Sequence, residues 1–507
     1  MRSSIRWTRP RAVLALTAAA VATAVGVQAC DSARGAELNA ANALTAGALT
    51  AADNAQIGAA AIAFRNTVKG PPPGWTGQVF QLSRDYPTLP PGPCRPEVCR
   101  WLTRNVDFRS PNPQVWEGAW AQYMNDILEY VKQGQTLMNG WDVRVGGETR
   151  WFHVPWMAYD SVRGREFIHG TTNERTADIS DFRGQRGLHF SANSRALNRT
   201  HRIQDMPKGL NTLTGNDSST AFETWAVGFY NPPAGYAIGQ MIPRDGVPRA
   251  NRDASGRWTA PGMPFPEGTV VAKVLFSTAT PTQVPYLRGA PRWIVDRHIQ
   301  VSPDSFINRR RPAPVYLVQL DVAVNDSRSP TGWVYGTFAY NGTINDPDVW
   351  KRMSPVGLQW GSDPRTWPAV DSASSRPVSE SVIAPINIYQ HLGCAGRLAG
   401  PVDNRESSCI SCHQGAFTAA PVGTVDTMPS GNGTGNIPPI FGFNGMCKRT
   451  SPSNMAYFSN IRYPQDYPPF PGMHGERINL DGSLQVQVAY MQYATWLHRR
   501  RTPTRRR

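Results

Sequence analysis

The segment VYLVQLDVAV, residues 315–324, decides the fold class, because apolar side chains recur at every second position. In a strand this alternation places one set of side chains on a single face: Tyr316, Val318, Leu320, Val322 and Val324. Three further segments have the same character, FETWAVGFY (222–230), GTVVAKVLF (268–276) and GWVYGTFAY (332–340). Clusters of Gly and Pro separate these segments, which predicts an antiparallel sheet and not a parallel one.

Two helices are predicted outside this sheet. The first is amphipathic, because apolar residues recur at helical spacing at Trp116, Trp120, Met124, Ile127 and Val131. The second runs from Ser483, its N-cap, to about His498 and carries Leu484, Val488 and Met491. We therefore expect the α+β class: an antiparallel β-rich domain, a helical and irregular N-terminal region, and a loop-rich C-terminal extension that ends in a helix.

The N-terminus has the form of a secretory signal. Residues 1–11 are basic, residues 12–27 are almost wholly Ala, Val, Leu and Thr, and the stretch ends in Val27-Gln28-Ala29-Cys30. A small residue directly before Cys30 is similar to a bacterial lipoprotein processing site, and ordinary cleavage near Ala29 is the alternative. Both kinds of processing predict export. Lipoprotein processing predicts a periplasmic lipoprotein of a Gram-negative-type bacterium, anchored to the membrane through Cys30.

The formal net charge is +15, and much of the excess lies at the two ends of the chain. These basic residues are Arg2, Arg6, Arg9, Arg11, Arg499 to Arg501 and Arg505 to Arg507. No zinc-finger, helix-turn-helix or RNA-binding signature accompanies them, so nucleic acid is not predicted as a partner. The basic ends are either solubilising or a docking surface for an acidic partner protein or a lipid surface.

The sequence SSCISCHQG (407–415) carries the chemistry. Cys409 and Cys412 are spaced to form thioethers with the two vinyl groups of one porphyrin, and His413 then lies where it can bind the iron. A thioredoxin-like site would need flanking strand and helix alternation, and a zinc site a second ligand pair, which the sequence lacks. The motif therefore predicts one covalent c-type haem.

The seven cysteines can all be assigned in an oxidising compartment. Besides Cys30 and the two haem cysteines, Cys94 and Cys99 are close enough for a small disulfide loop. Cys394 and Cys447 flank the haem motif and could form a second disulfide. These pairings stay open, since four cysteines admit three connectivities and each thiol could also be free.

The sixth position on the iron separates two functions. A Met ligand raises the potential and suits an electron carrier, whereas an open side lets a small molecule bind. Met473, in FPGMHGER, follows His413 at a separation typical of small electron-transfer cytochromes, and His474 adjoins it. His153 and His169 lie in aromatic, Arg-containing segments that could cover a haem face, or they are structural histidines.

Four motifs in residues 221–416 resemble the cytochrome P-460 family. They are FYNPPAGYAIGQ, PFPEGTVVAKVLF, GWVYGTFAYNG and SCISCHQGA, in that order. The resemblance implies a β-sheet protein with a five-coordinate haem, His413 as proximal ligand, and oxidation of hydroxylamine or binding of nitric oxide. It also implies that Lys273 forms an extra bond to the porphyrin, the alternative being a solvent-facing strand lysine. The signature and the haem motif are further apart here than in that family.

We therefore predict an exported c-type cytochrome that performs electron transfer or small-molecule redox chemistry at the iron, with a redox protein as partner. The alternative is a non-catalytic electron carrier with a six-coordinate haem that docks to that partner. A third reading is a binding module that haem holds together. The predicted segments are a signal peptide (1–30), an Ala-rich tether (31–70), a helical and irregular region (71–215), a β-rich cytochrome domain ending in the haem motif (216–416) and a C-terminal extension with a terminal helix and a basic tail (417–507).

Overall fold

A computed structural model describes part of the chain. The described residues are 58–59, 61–62, 65, 72–77, 82–110, 114–133, 135–137, 141–143, 151–155, 172–176, 223–277, 280–281, 287–302, 305–361, 381–384, 409, 413, 416–424 and 476–501. Residues 55–498 form one compact unit. The remainder, residues 1–54 and 499–507, forms another, of which only 499–501 are described.

The described elements are mostly strands. The helices are α1 (Gly118–Lys132), α2 (Pro232–Met241) and α3 (Leu484–Arg501), with short 3-10 helices at Arg100–Thr103 and Val349–Arg352. The strands are β1 (Gln135–Leu137), β2 (Trp141–Val143), β3 (Thr172–Thr176), β4 (Glu223–Tyr230), β5 (Asn251–Arg252), β6 (Trp258–Thr259), β7 (Val270–Ser277), β8 (Arg292–Ser302), β9 (Ser305–Asn325), β10 (Trp333–Tyr340), β11 (Met353–Gln359), β12 (Ser381–Ile383), β13 (Phe417–Ala419) and β14 (Arg477–Asn479).

The main sheet has eight strands in the order β12-β11-β10-β9-β7-β4-β3, with β8 paired to the first half of β9. All of its pairs are antiparallel, which confirms the predicted sheet and the α+β class. The four predicted strands are β4, β7, β9 and β10, and they are consecutive in space. A second sheet, in the order β13-β14-β6-β5, joins residues of the C-terminal extension to the β5–β6 hairpin.

One face of the main sheet packs against α1. Four of the five residues that predicted this helix are fully or nearly buried, namely Trp120, Met124, Ile127 and Val131. The fifth, Trp116, precedes the helix, which begins at Gly118. The aromatic stripe therefore belongs to the core, where it meets sheet residues such as Leu320 and Phe338.

A β-bulge changes which residues of the deciding segment enter this core. Leu275 pairs with Gln319, but the next residue, Phe276, pairs with Leu317, so Val318 is the additional residue of β9. Leu317 therefore lies on the α1 face and is buried with Val318. The prediction was right from Val318 to Val324 and wrong for Tyr316, which is only half-buried, because alternation cannot show an inserted residue.

The other face of the main sheet, here called the second face, carries Tyr230, Lys273, Asp321, Tyr335 and Gln359. These residues are placed together by the register of β4, β7, β9, β10 and β11. Helix α3 covers part of it: the Tyr230 hydroxyl donates a hydrogen bond to the amide oxygen of Gln485. Gly228 allows this approach, because a Cβ there would overlap the same Gln485 side chain.

Helix α3 begins where the sequence predicts. The Ser483 hydroxyl accepts a hydrogen bond from the backbone N–H of Val486, at 3.4 Å, as an N-cap does. Its buried side consists of Val486, Ala489, Tyr490, Tyr493 and Leu497. Leu484 and Met491 are half-buried, and the side chain of Val488 lies outside the described part.

An ion-pair cluster joins the N-terminal region to the β9–β10 turn. The Arg328 guanidinium donates to both carboxylate oxygens of the fully buried Asp326, at 2.9 and 2.7 Å. It also donates to the backbone carbonyls of Trp101 and Arg104, at 3.1 and 2.6 Å. The Tyr123 hydroxyl of α1 donates to the same carboxylate at 3.0 Å.

The Cys94–Cys99 disulfide is present, as predicted. The predicted tether is corrected at its C-terminal end: Ala61 is buried, and Arg65 donates to the Ile242 carbonyl at 3.2 Å. The N-terminal region also contains the strands β1, β2 and β3, which the sequence reading missed. Cys30, Cys394, Cys447 and the predicted signal peptide lie outside the described residues. No helix in the described part is long and apolar enough to cross a membrane.

Candidate functional site

His413 lies over the second face. Its imidazole packs on the ring of Tyr335, with 4.4 Å between the ring centroids. Its Nδ1 is 2.7 Å from the backbone carbonyl oxygen of Gly482. A carbonyl can only accept, so this contact assigns the proton to Nδ1 and leaves Nε2 with its lone pair. An imidazole held in this way has the tautomer and orientation of a metal ligand.

The acceptor belongs to a tight turn before α3. Asp481 and Gly482 both have positive φ, 46° and 76°. The Asp481 carboxylate accepts from the backbone N–H of Phe265, at 2.8 Å, and from the indole N–H of Trp333, at 3.2 Å. These bonds fix the turn against the β10 strand that also carries Tyr335.

The His413 ring is held in its neutral form. Burial and, to a smaller extent, the Lys273 ammonium lower its pKa to about 4, although the hydrogen bond to Gly482 opposes both effects. A neutral imidazole is the form that binds a metal. No deprotonation step is therefore needed near neutral pH.

Cys409 is attached to the same face by its backbone. Its N–H donates to the Oε1 of Gln359 at 3.2 Å. Gln359 is fully buried, and its Nε2 has no hydrogen-bond partner among the described residues. A buried donor without a partner costs about 1–3 kcal/mol, which favours an acceptor not present here.

Lys273 lies in the centre of the second face and is half-buried, so it is not a fully solvated strand lysine. It pairs across the strands with Asp321. The Asp321 carboxylate accepts from Thr337 at 2.8 Å and from Gln319 at 2.9 and 3.1 Å. This polar row adjoins two apolar, half-buried positions, Val271 and Ala323.

These residues fit a haem. His413 presents one ring nitrogen, and Cys409 carries a thiol and is attached to the same face through its backbone. The strand positions Val271, Lys273 and Ala323 are only half-buried. The unpartnered amide of Gln359 fits the same interpretation, because a bound group can supply its acceptor. Cys412, Met473, His169 and His474 lie outside the described residues, so their predicted roles stay predictions.

His153 is not part of this site. Its Nδ1 and Nε2 are each 3.2 Å from a backbone carbonyl, of Ser83 and of Arg65. The ring is buried, and burial lowers its pKa to about 4. It is therefore a structural histidine, which is one of the two roles that its sequence context predicts.

The chain matches no protein-family model, no curated protein and no solved structure. The resemblance to the cytochrome P-460 family stays a prediction from its four motifs. Within the described residues, no group of three or more His, Cys, Asp or Glu could hold a metal ion.

Sequence reasoning missed the residues that hold His413 and Cys409 in place. A signal existed for one of them, because the Asp481-Gly482 dipeptide directly before an N-cap serine is a turn sequence. Nothing in the sequence connects that turn to His413, however. Tyr335 appears only as a residue of a predicted strand, Gln359 lies outside the predicted strands, and only the register places the two on one face.

Proposed function

We propose that this chain is an exported c-type cytochrome with one haem bonded through Cys409 and Cys412. The observation that carries the proposal is the His413 imidazole, which is neutral, held through Nδ1 by a backbone carbonyl, and directed with Nε2 away from that bond. This is how an axial ligand is held. In this proposal the protein performs electron transfer or small-molecule redox chemistry.

Each residue of the site has a role in this proposal. The haem, when bound, supplies the one-electron chemistry of iron. His413 would bind the iron through Nε2, the Gly482 carbonyl would retain the Nδ1 proton, and Gln359 holds the start of the haem motif against the sheet. Lys273 and Asp321 provide a charged, hydrogen-bonded surface on the same sheet face as His413.

The four motifs that resemble the cytochrome P-460 family favour small-molecule chemistry over plain electron transfer. A carrier needs a sixth ligand, for which Met473 is the candidate, whereas the resemblance implies a five-coordinate haem with one open side. High-spin, five-coordinate iron that binds nitric oxide is the expected result. Low-spin iron without nitric oxide binding would support the six-coordinate carrier.

The proposal is tested by following covalent haem. The full chain is produced in a host that attaches haem outside the cytoplasm, and a denaturing gel is stained for haem-dependent peroxidase activity. The wild-type band is expected to stain, and the Cys409→Ala/Cys412→Ala variant is expected to lose the stain completely. The matched control is Cys94→Ala/Cys99→Ala, which removes one disulfide. The fraction of this variant that folds is expected to retain covalent haem. An unstained wild-type band contradicts the proposal.

A further inference from the structure

We infer that the Asp481–Gly482 turn is the positioning element for the His413 ligand, so that the C-terminal extension influences the reduction potential of the haem iron. The inference rests on the proposed function, since it concerns how the ligand is held. Asp481 and Gly482 do not touch a substrate, and they act only through His413.

The geometry joins the ligand and its acceptor through one strand. On β10, Tyr335 packs on the His413 ring and Trp333 donates to the Asp481 carboxylate. The ring and the turn therefore share the same support, although they are 69 residues apart in sequence. A second bond, from the Phe265 N–H, fixes the turn from another direction.

Gly482 is required at its position for two reasons. Its φ of 76° lies in the left-handed region, which costs an L-residue with a side chain about 1 kcal/mol or more. A Cβ there would also lie 3.0 Å from the Tyr335 hydroxyl oxygen. A side chain at this position would therefore displace the turn, and with it the carbonyl that faces His413.

The bond to the carbonyl has a chemical consequence. An imidazole that donates from Nδ1 is a stronger electron donor at Nε2, which stabilises the oxidised metal and lowers the reduction potential. Weakening the bond should therefore raise the potential. It should also weaken the iron–histidine bond of the reduced protein.

The test compares Gly482→Ala with Gly256→Ala in the full, haem-loaded chain. Gly256 has a φ of 78° and nothing within 4 Å of a built Cβ, so its substitution introduces the same backbone strain without displacing a neighbour. Gly482→Ala is expected to raise the reduction potential and to lower the iron–histidine stretching frequency in the resonance Raman spectrum of the ferrous protein. Gly256→Ala is expected to leave both unchanged.

A second pair keeps the test informative if Gly482→Ala does not fold. In Asp481→Asn, a single amide oxygen replaces a carboxylate that accepts two hydrogen bonds. We expect the reduction potential and the stretching frequency to shift in the same directions as in Gly482→Ala, but by less. The control is Asp253→Asn, where the carboxylate accepts from the backbone of Ser255 and Arg257 in an exposed turn.

The outcomes separate this inference from the proposed function. Haem-loaded variants at Gly482 and Asp481 that match their controls in potential and in stretching frequency overturn the inference and leave the proposed function intact. A wild-type chain without covalent haem overturns the proposed function itself. In the double variant Gly482→Ala/Tyr335→Phe, the iron–histidine stretching frequency should return to that of Tyr335→Phe alone. Such a return would support the argument that a side chain at position 482 displaces the turn because it meets the Tyr335 hydroxyl.

Discussion

At the scale of single residues, His153 makes stability depend on pH. Burial, with the charge of Arg84 and Arg65, lowers its folded pKa to about 4, against 6.5 for the free group. Its contribution is therefore fully present above pH 6.5 and is lost as the pH falls towards 4, by about 1.4 kcal/mol per pH unit and roughly 3 kcal/mol in total. His153→Gln cannot take up this proton, so its urea-unfolding free energy should approach that of the wild type as the pH falls from 7 to 4. A constant difference between the two proteins over this range would contradict the assignment.

At the scale of elements, the Arg328–Asp326 pair attaches α1 to the main sheet; its carboxylate is fully buried and its guanidinium is 35% exposed. Arg328→Met leaves the buried carboxylate without its cation, and because solvent reaches the guanidinium the cost should be roughly 2–3 kcal/mol, below the range for a fully buried pair. Arg328→Lys should recover only part of this, because an ammonium cannot make the two parallel bonds of a guanidinium. The matched control is Arg257→Met, which removes an exposed pair with Asp253 and should change the unfolding free energy far less, because water screens exposed charges. Equal midpoints of urea unfolding for the Arg328→Met and Arg257→Met variants would show that the Arg328–Asp326 pair does not stabilise the fold.

The elements also show what local sequence can and cannot predict. Alternation and turn signals located the four central strands, because both are properties of neighbouring residues. The bulge at Val318 was invisible, since it depends on which residue of β7 lies opposite. The buried side of α3 was equally hidden, because Tyr490 and Tyr493 belong to it while Leu484 and Met491 are only half-buried.

At the scale of the whole molecule, the proposed chemistry of the site depends on local sequence, whereas its construction does not. The proposal for Cys409, Cys412 and His413 comes from their spacing alone, since haem attachment requires residues that are close in sequence. The groups that hold Cys409 and His413 come from β10, β11 and the turn before α3, which only the complete fold brings together. The predicted C-terminal extension therefore supplies the hydrogen-bond acceptor for the His413 imidazole.

The last prediction also belongs to the whole molecule and concerns its attachment. If Cys30 carries lipid, each buried methylene adds about 0.8 kcal/mol of membrane affinity, and an anchor with several acyl chains does not detach on washing. We expect the wild-type protein to sediment with membranes in high salt, which screens binding through the basic ends. Cys30→Ala should abolish this attachment and leave the protein either in the soluble periplasmic fraction or uncleaved. Cys94→Ala/Cys99→Ala, which alters cysteines of the body instead, should sediment like the wild type. Recovery of mature wild-type protein in the soluble periplasmic fraction would instead support ordinary cleavage near Ala29, because a chain cleaved there without lipid has no acyl anchor.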